Sequence, residues 1–194
     1  MARTPSTMLP LGTRLPAFDL PDPRTGLPVT DTDFDQAPAT VVVFWCNHCP
    51  FVKHLEVGFV AFADDVAASG VRVVAISSND VEAYPQDRPE AMAALAESAG
   101  YGFPYVYDES QEVAKEFGAA CTPDFYLFDA SGRLAYRGQF DDSRPGNGRP
   151  VTGRDLRNAV EGVIDGLPIE EPQHPSLGCN IKWKPGQEPD YYGT

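Results

Sequence analysis

Long apolar stretches are missing from this chain of 194 residues. The longest runs, such as Val41-Val42-Val43-Phe44-Trp45, are strand-sized, so no helix is expected to span a bilayer and no membrane partner is expected. Met1 to Leu20 is broken by Pro5, Pro10 and Pro16 and has no apolar centre like that of a secretory signal, so a cytoplasmic location is expected. Cationic charge is also scarce: 15 Lys and Arg face 28 Asp and Glu, for a net charge of −13. Nucleic acids and anionic membranes reward Lys and Arg, so neither is an expected partner, and the acidity reads as a solubility feature. Four cysteines are too few for a disulfide scaffold at this length. In a reducing compartment they read as catalytic, metal-binding or buried. What is left is an ordinary globular composition, 42% hydrophobic and 22% charged, long enough for one domain with a sizeable core.

The pattern along the chain is alternating. Phe18-Asp19-Leu20 and Val29 flank a turn-rich stretch and predict a small hairpin. Val41 to Trp45 is continuous and β-branched, as expected of a strand buried on both faces. Val52, Leu55, Phe59, Phe62, Ala63 and Val66 form a helical stripe stopped by Gly70. A second strand is expected over Val71 to Ile76, a helix over Pro89 to Ala99, a short strand at Tyr105-Val106-Tyr107, and a brief helix capped by Ser110. Phe125 to Phe128 and Leu134 to Arg137 flank Asp129-Ala130-Ser131-Gly132, a hairpin signal. Thr152-Gly153-Arg154-Asp155 resembles a capping box and opens a last helix, closed by Gly166 and Pro168. Residues 168–194 are Pro-rich and without period, which predicts an extended tail, anchored by Trp183, on a domain spanning 1–167. Alternation followed by a hairpin predicts an α/β fold, a mixed central sheet covered by helices on both faces.

Cys46-Asn47-His48-Cys49 stands at the junction of the first buried strand and its helix. Two intervening residues let the sulfurs meet within one turn, and a helix N-terminus favours a thiolate, the species that attacks disulfides. Cys46 is expected to be the more exposed nucleophile and Cys49, one turn inside, the resolving thiol. An imidazolium at His48 would stabilise the Cys46 thiolate and make the pair more oxidising. Lys53, four residues after Cys49, shares a helix face with it and would add positive potential.

These residues resemble the thioredoxin-like superfamily, and more closely its redoxin branch of TlpA-like oxidoreductases and alkyl-hydroperoxide-reductase-type peroxiredoxins. The resemblance covers roughly Leu15 to Leu167 and rests on four segments. Pro16-Ala17-Phe18-Asp19-Leu20 resembles the opening strand, and Trp45-Cys46-Asn47-His48-Cys49-Pro50 the active-site segment. Thr122-Pro123-Asp124-Phe125 resembles the cis-proline loop, and Phe128 to Leu134 the terminal hairpin. The insertion holding the Pro89 helix also suits the redoxin branch. The resemblance implies a thiol-disulfide oxidoreductase working through a Cys46–Cys49 redox-active disulfide, with no organic cofactor and no metal. It implies protein or small-molecule thiols and disulfides as substrates and a thioredoxin- or glutathione-type redox partner. Trp45, Asn47, Thr122 and Pro123 would line the substrate groove, with the Thr122 backbone pairing to an extended substrate.

The sequence departs from the branch in its acids. None lies in the strand beneath Cys49, and no Glu follows it, so Asp124, His54 or water are the candidate bases for Cys49. Cys121 and Cys179 are extra; they could form a second redox pair or relay, or Cys121, alternating with Thr122, could be a buried bystander. The rival enzyme is a thiol peroxidase acting through a sulfenic acid at Cys46, but a peroxiredoxin's Pro and Thr positions hold Ala39 and Val43. A metal-binding module is less favoured, because the spacing 46, 49, 121, 179 lacks a second C-x-x-C.

Overall fold

The computed structural model describes residues 3–169 and 171–193. In chain order it contains strands β1 (Thr4–Pro5), β2 (Asp19–Pro21), β3 (Pro28–Thr30) and β4 (Ala39–Phe44), then helix α1 (Pro50–Ala67) and β5 (Arg72–Ser77). Helix α2 (Pro89–Ser98), β6 (Tyr105–Tyr107), α3 (Glu112–Glu116), β7 (Cys121–Thr122), β8 (Asp124–Asp129) and β9 (Leu134–Gly138) follow. Helix α4 (Arg154–Asp165) and β10 (Leu177–Asn180) complete it. No helix among the described residues is long and apolar enough to cross a membrane.

The main sheet has the order β6-β5-β4-β8-β9. β4 pairs in parallel with β5 and antiparallel with β8, so the sheet is mixed, as the alternation followed by a hairpin predicts. All six residues of β4 are buried. Period-two alternation sends Val41 and Val43 to one face with α1, α2 and α4, and Val42 and Phe44 to the other with α3. The first face carries a cluster of rings, Trp45, Phe59, Phe125 and Phe140, in the same buried cluster as Cys46 and Cys49.

Three local expectations are corrected. The brief helix α3 is capped not by Ser110 but by Gln111, in the left-handed region at φ 65°. The buried Gln111 amide reaches the carbonyls of Ser78 and Lys182, 2.6 and 2.9 Å away, so it serves the tail. The capping box at Thr152 does not form, because Asp141 arrives from the preceding loop and accepts from the amides of Thr152 and Gly153, both at 2.6 Å. The tail is more than an extended anchor. Trp183 is buried as expected, but residues 177–180 form β10, the middle strand of a second sheet ordered β1-β10-β7.

Candidate functional site

The strand-to-helix junction builds the site. β4 ends at Phe44, and the Trp45 amide extends its pairing to the Ile76 carbonyl at 2.8 Å. The chain then turns, and α1 begins at Pro50 with Cys49 as its N-cap. Proline at the first helical position needs no amide partner and has its φ preset, which fixes this start. The helix N-terminus therefore serves Cys49, and Cys46 lies three residues before the cap. This corrects the expectation that Cys46 sits at the helix start.

The Thr122-Pro123 peptide is cis, as the resemblance implies, and its loop faces both cysteines. Cys46 Sγ lies 3.2 Å from the Thr122 hydroxyl, and Cys49 Sγ lies 3.1 Å from the Thr122 carbonyl. A protonated Cys49 donates to that carbonyl. Cys46 is no more exposed than its partner in any useful sense: the two are 1% and 0% accessible. Burial pushes the Cys46 thiol well above the ordinary thiol value, the hydrogen bond with Cys49 and the Asp87 carboxylate adding to it. Cys49 is shifted the other way by hydrogen bonds, first from Cys179, then from Cys46, against the opposing effect of burial. The Val52 amide at the N-terminus of α1 acts in the same direction, in a geometry short of a full capping bond. Of the two thiols, Cys49 is the one whose surroundings favour losing its proton.

His48 does not act alone on Cys46. Its Nδ1 lies 2.6 Å from Oδ2 of Asp87, and its ring stacks on Tyr84 with centroids 5.2 Å apart. Asp87 is fully buried; it accepts from the Asn47 amide at 2.8 Å and from the Asn79 side chain at 2.8 Å. A carboxylate in that position opposes the effect expected of an imidazolium on Cys46. Cys46, His48 and Asp87 offer three ligand atoms within 4.8 Å of one another, a constellation that the four-cysteine metal reading did not contain. Both Asp87 oxygens and His48 Nδ1 are already engaged in hydrogen bonds, so the arrangement works as it stands as a frame for the C-x-x-C loop.

Two proposed groove residues are placed otherwise. Trp45 is 1% exposed, its indole N–H donates to Tyr101 at 3.0 Å, and it offers no face to a substrate. Its position at the end of β4 points it into the ring cluster on the α1 side. Asn47 is half-buried and held by the Gln86 carbonyl at 2.9 Å and the Tyr105 hydroxyl at 3.0 Å. The edge at Thr122 is not open either. β10 runs antiparallel to β7 with Cys179 opposite Thr122 and Asn180 opposite Cys121, so an extended substrate cannot pair there. The depression lined by Phe51, Leu55, Pro123 and Leu177 measures about 10 Å³, room for one water at most.

The register also decides the extra cysteines. No disulfide joins any of the four. Cys179 shares the face of Thr122 and hydrogen-bonds to Cys49, while Cys121 alternates away and points its thiol at the Pro123 carbonyl, 3.7 Å off. Of the two alternatives for the extra cysteines, a Cys121–Cys179 bond is not made, because the two occupy neighbouring rungs and opposite faces, and Cys121 is the buried bystander. The candidate bases also lie elsewhere. Asp124 is buried on the face of Tyr126, whose hydroxyl donates to it at 2.9 Å, and His54 bonds Ser143 at 2.8 Å. Lys53 is exposed on α1.

Asp87 was missed by the sequence reading, and Cys179, which was considered as a pair or relay with Cys121, is found against Cys49 instead. Asp87 sits in a turn of the insertion with nothing local to mark it. Gly178 before Cys179 was a usable signal, since a glycine inside a strand often marks close backbone approach. A Cβ at Gly178 would collide with the Thr122 carbonyl.

Comparison with known proteins identifies the family and the fold. The AhpC/TSA family model matches residues 11–137. Peroxiredoxin Bcp from Escherichia coli (strain K12) is 27% identical over 155 residues, covering 74% of this chain and 92% of its own. The crystal structure of an uncharacterized conserved protein from Geobacillus kaustophilus is 53% identical, with a TM-score of 0.94 over 95% of this chain and 98% of that one. The thioredoxin domain of a thiol-disulfide oxidoreductase from Bacteroides vulgatus shares the fold at 21% identity, with a TM-score of 0.62 over 80% of this chain and 99% of that one. The chain has a thioredoxin-like fold and belongs to the AhpC/TSA family.

Proposed function

We propose that the protein is a thiol-disulfide oxidoreductase in which Cys46 and Cys49 cycle between a dithiol and a disulfide. One observation carries this reading: both sulfurs lie within hydrogen-bonding distance of Thr122, on the cis-proline loop, at 3.2 and 3.1 Å. The Cys46 proton passes to Cys49, which is hydrogen-bonded to it, and the Cys46 thiolate attacks one sulfur of a substrate disulfide. The other substrate sulfur leaves as a thiolate. Cys49 then attacks Cys46 in the mixed disulfide and releases the second substrate thiol. His48, framed by Asp87 and Tyr84, positions the loop from which Cys46 acts. The chemistry calls for no organic cofactor, and a reducing, cytoplasmic setting with a thioredoxin- or glutathione-type donor would return the dithiol.

The closed edge at Thr122 and the buried sulfurs favour small substrates over extended peptides. The same observation supports a second reading, reduction of small hydroperoxides, in line with the name of the Escherichia coli relative. There the Cys46 thiolate takes the distal peroxide oxygen and becomes a sulfenic acid, the alcohol leaves, and Cys49 displaces hydroxide, released as water, to close the disulfide. Ala39 and Val43 are buried β4 residues that offer a peroxide no hydroxyl, so the first reading leads.

Steady-state turnover of oxidised glutathione and of hydrogen peroxide by the same preparation tests the order. Faster turnover of the disulfide, lost in Cys46→Ser, is the expected result. Full disulfide turnover in Cys46→Ser would overturn it, and faster peroxide turnover would promote the second reading.

A further inference from the structure

Cys179 lies outside the stretch 11–137 that carries the family match, yet it is built into the site. β10 is held on both sides: Thr4 and Pro5 of β1 pair with Gly178 and Leu177, and Thr122 and Cys121 of β7 pair with Cys179 and Asn180. Beyond the strand, the Ile181 amide donates to the Ala120 carbonyl at 3.0 Å. The Lys182 amide donates to the Asn79 side chain at 2.8 Å, and the Lys184 amide to Gln111 at 2.8 Å. Asn79 in turn holds Asp87, so the tail and the C-x-x-C loop share one hydrogen-bond network. Cys46, Cys49 and Cys179 belong to one buried cluster, and Cys179 covers the backbone edge of Thr122.

We propose that Cys179 is a third redox-active thiol, which takes over the disulfide from Cys46 by forming a Cys49–Cys179 bond. The proposal rests on the Cys46–Cys49 dithiol reading and extends it. Cys49 is the central sulfur, hydrogen-bonded to Cys46 and to Cys179. Thiol-disulfide exchange needs this order of attacking, central and leaving sulfur. In the step, Cys179, a thiol at rest, gives up its proton as its sulfur attacks Cys49 Sγ of the Cys46–Cys49 disulfide. The Cys49–Cys179 bond forms, the Cys46–Cys49 bond breaks, and Cys46 leaves as a thiolate that receives the proton given up by Cys179. The number of disulfides does not change, so no external oxidant is needed. The result frees Cys46 for a second encounter and ties the tail strand covalently to the start of α1.

The test is disulfide mapping of the full chain. Wild type, Cys46→Ser, Cys179→Ser and Cys121→Ser are oxidised with diamide without denaturant, acid-quenched, alkylated and analysed by peptide mass spectrometry. The dominant bond expected in Cys46→Ser is Cys49–Cys179. In Cys179→Ser it is Cys46–Cys49, and in wild type and Cys121→Ser both species are expected. Near-UV circular dichroism of the reduced variants checks that each holds native packing. A Cys46–Cys49 bond in wild type without a Cys49–Cys179 bond in natively packed Cys46→Ser would overturn the third-thiol proposal and spare the dithiol reading. Absence of a Cys46–Cys49 bond in both wild type and Cys179→Ser would overturn the dithiol reading itself. Should Cys46→Ser lose native packing, the wild-type map decides: a Cys49–Cys179 species there supports the proposal, and its absence beside Cys46–Cys49 defeats it.

Discussion

Cys121 and Cys179 sit on neighbouring rungs of the same short ladder and meet opposite fates. Cys179 faces α1 and joins Cys49, while Cys121 faces away and is sealed beside the Pro123 carbonyl. Both thiols are pushed above the ordinary value, Cys121 first by burial and Cys179 first by its hydrogen bond with Cys49, so the partner each one meets separates them rather than acidity. Period-two alternation alone separates them. A one-residue slip of β10 would exchange the faces of its whole side-chain set. What sets a cysteine's chemistry here is register, which depends on a strand contributed from more than fifty residues downstream.

The contrast can be broken most severely at the shared partner. Cys49→Ser removes the sulfur that both Cys46 and Cys179 reach, and disulfide turnover is expected to fall at least about a hundredfold. The same variant should trap substrate on Cys46 as a mixed disulfide, seen as a mass increase in intact protein. Next in size is the frame on the C-x-x-C side. Asp87→Ala leaves the Asn47 amide and the Asn79 side chain without their acceptor, at an expected cost of about 1–3 kcal/mol in urea unfolding for each buried group left unpaired.

Gly178→Ala sharpens the tail side of the comparison. Its Cβ would press into the Thr122 carbonyl, with an expected loss of about 1–3 kcal/mol. As β10 lifts, alkylation of Cys46 and Cys49 should accelerate while that of Cys121 rises less.

A buried acid separates the two faces by pH. Burial raises the Asp124 carboxyl to about 7, with the Tyr126 hydroxyl pulling against that shift. The native state therefore holds a proton that the unfolded chain releases near pH 4, so this contribution to stability is present at low pH and is lost as pH rises through about 7. Asp124→Asn should flatten the fall in unfolding free energy between about pH 4 and pH 8, an effect of a few kcal/mol at most. The smallest effect belongs to Cys121→Ser, which should leave disulfide turnover and the pattern of bonds unchanged.

Much of this was legible in the sequence, for physical reasons that also mark where reading stopped. Val41 to Trp45, the stripe from Val52 to Val66 and the Asp129-Ala130-Ser131-Gly132 turn depend on local periodicity and turn chemistry, and each element formed. The cysteine pair and the Thr122-Pro123 loop were legible because their residue types and spacing carry the chemistry. The start of α1 was misplaced although Pro50 marked it, since proline favours the first helical position and makes Cys49 the cap. That error put the helix's positive end beside the wrong sulfur. Asp87 and the partner of Cys179 were out of reach because they come from tertiary contacts, one across an insertion and one across a register between remote strands.

The central claim is that Cys46 and Cys49 form a reversible two-electron couple. The most direct test equilibrates the intact protein in glutathione buffers of graded potential, then quenches, alkylates and maps the products. The expected outcome is one cooperative transition whose oxidised form contains a Cys46–Cys49 bond. A protein that keeps both thiols alkylatable across the whole series, or that oxidises without engaging Cys49, would contradict it.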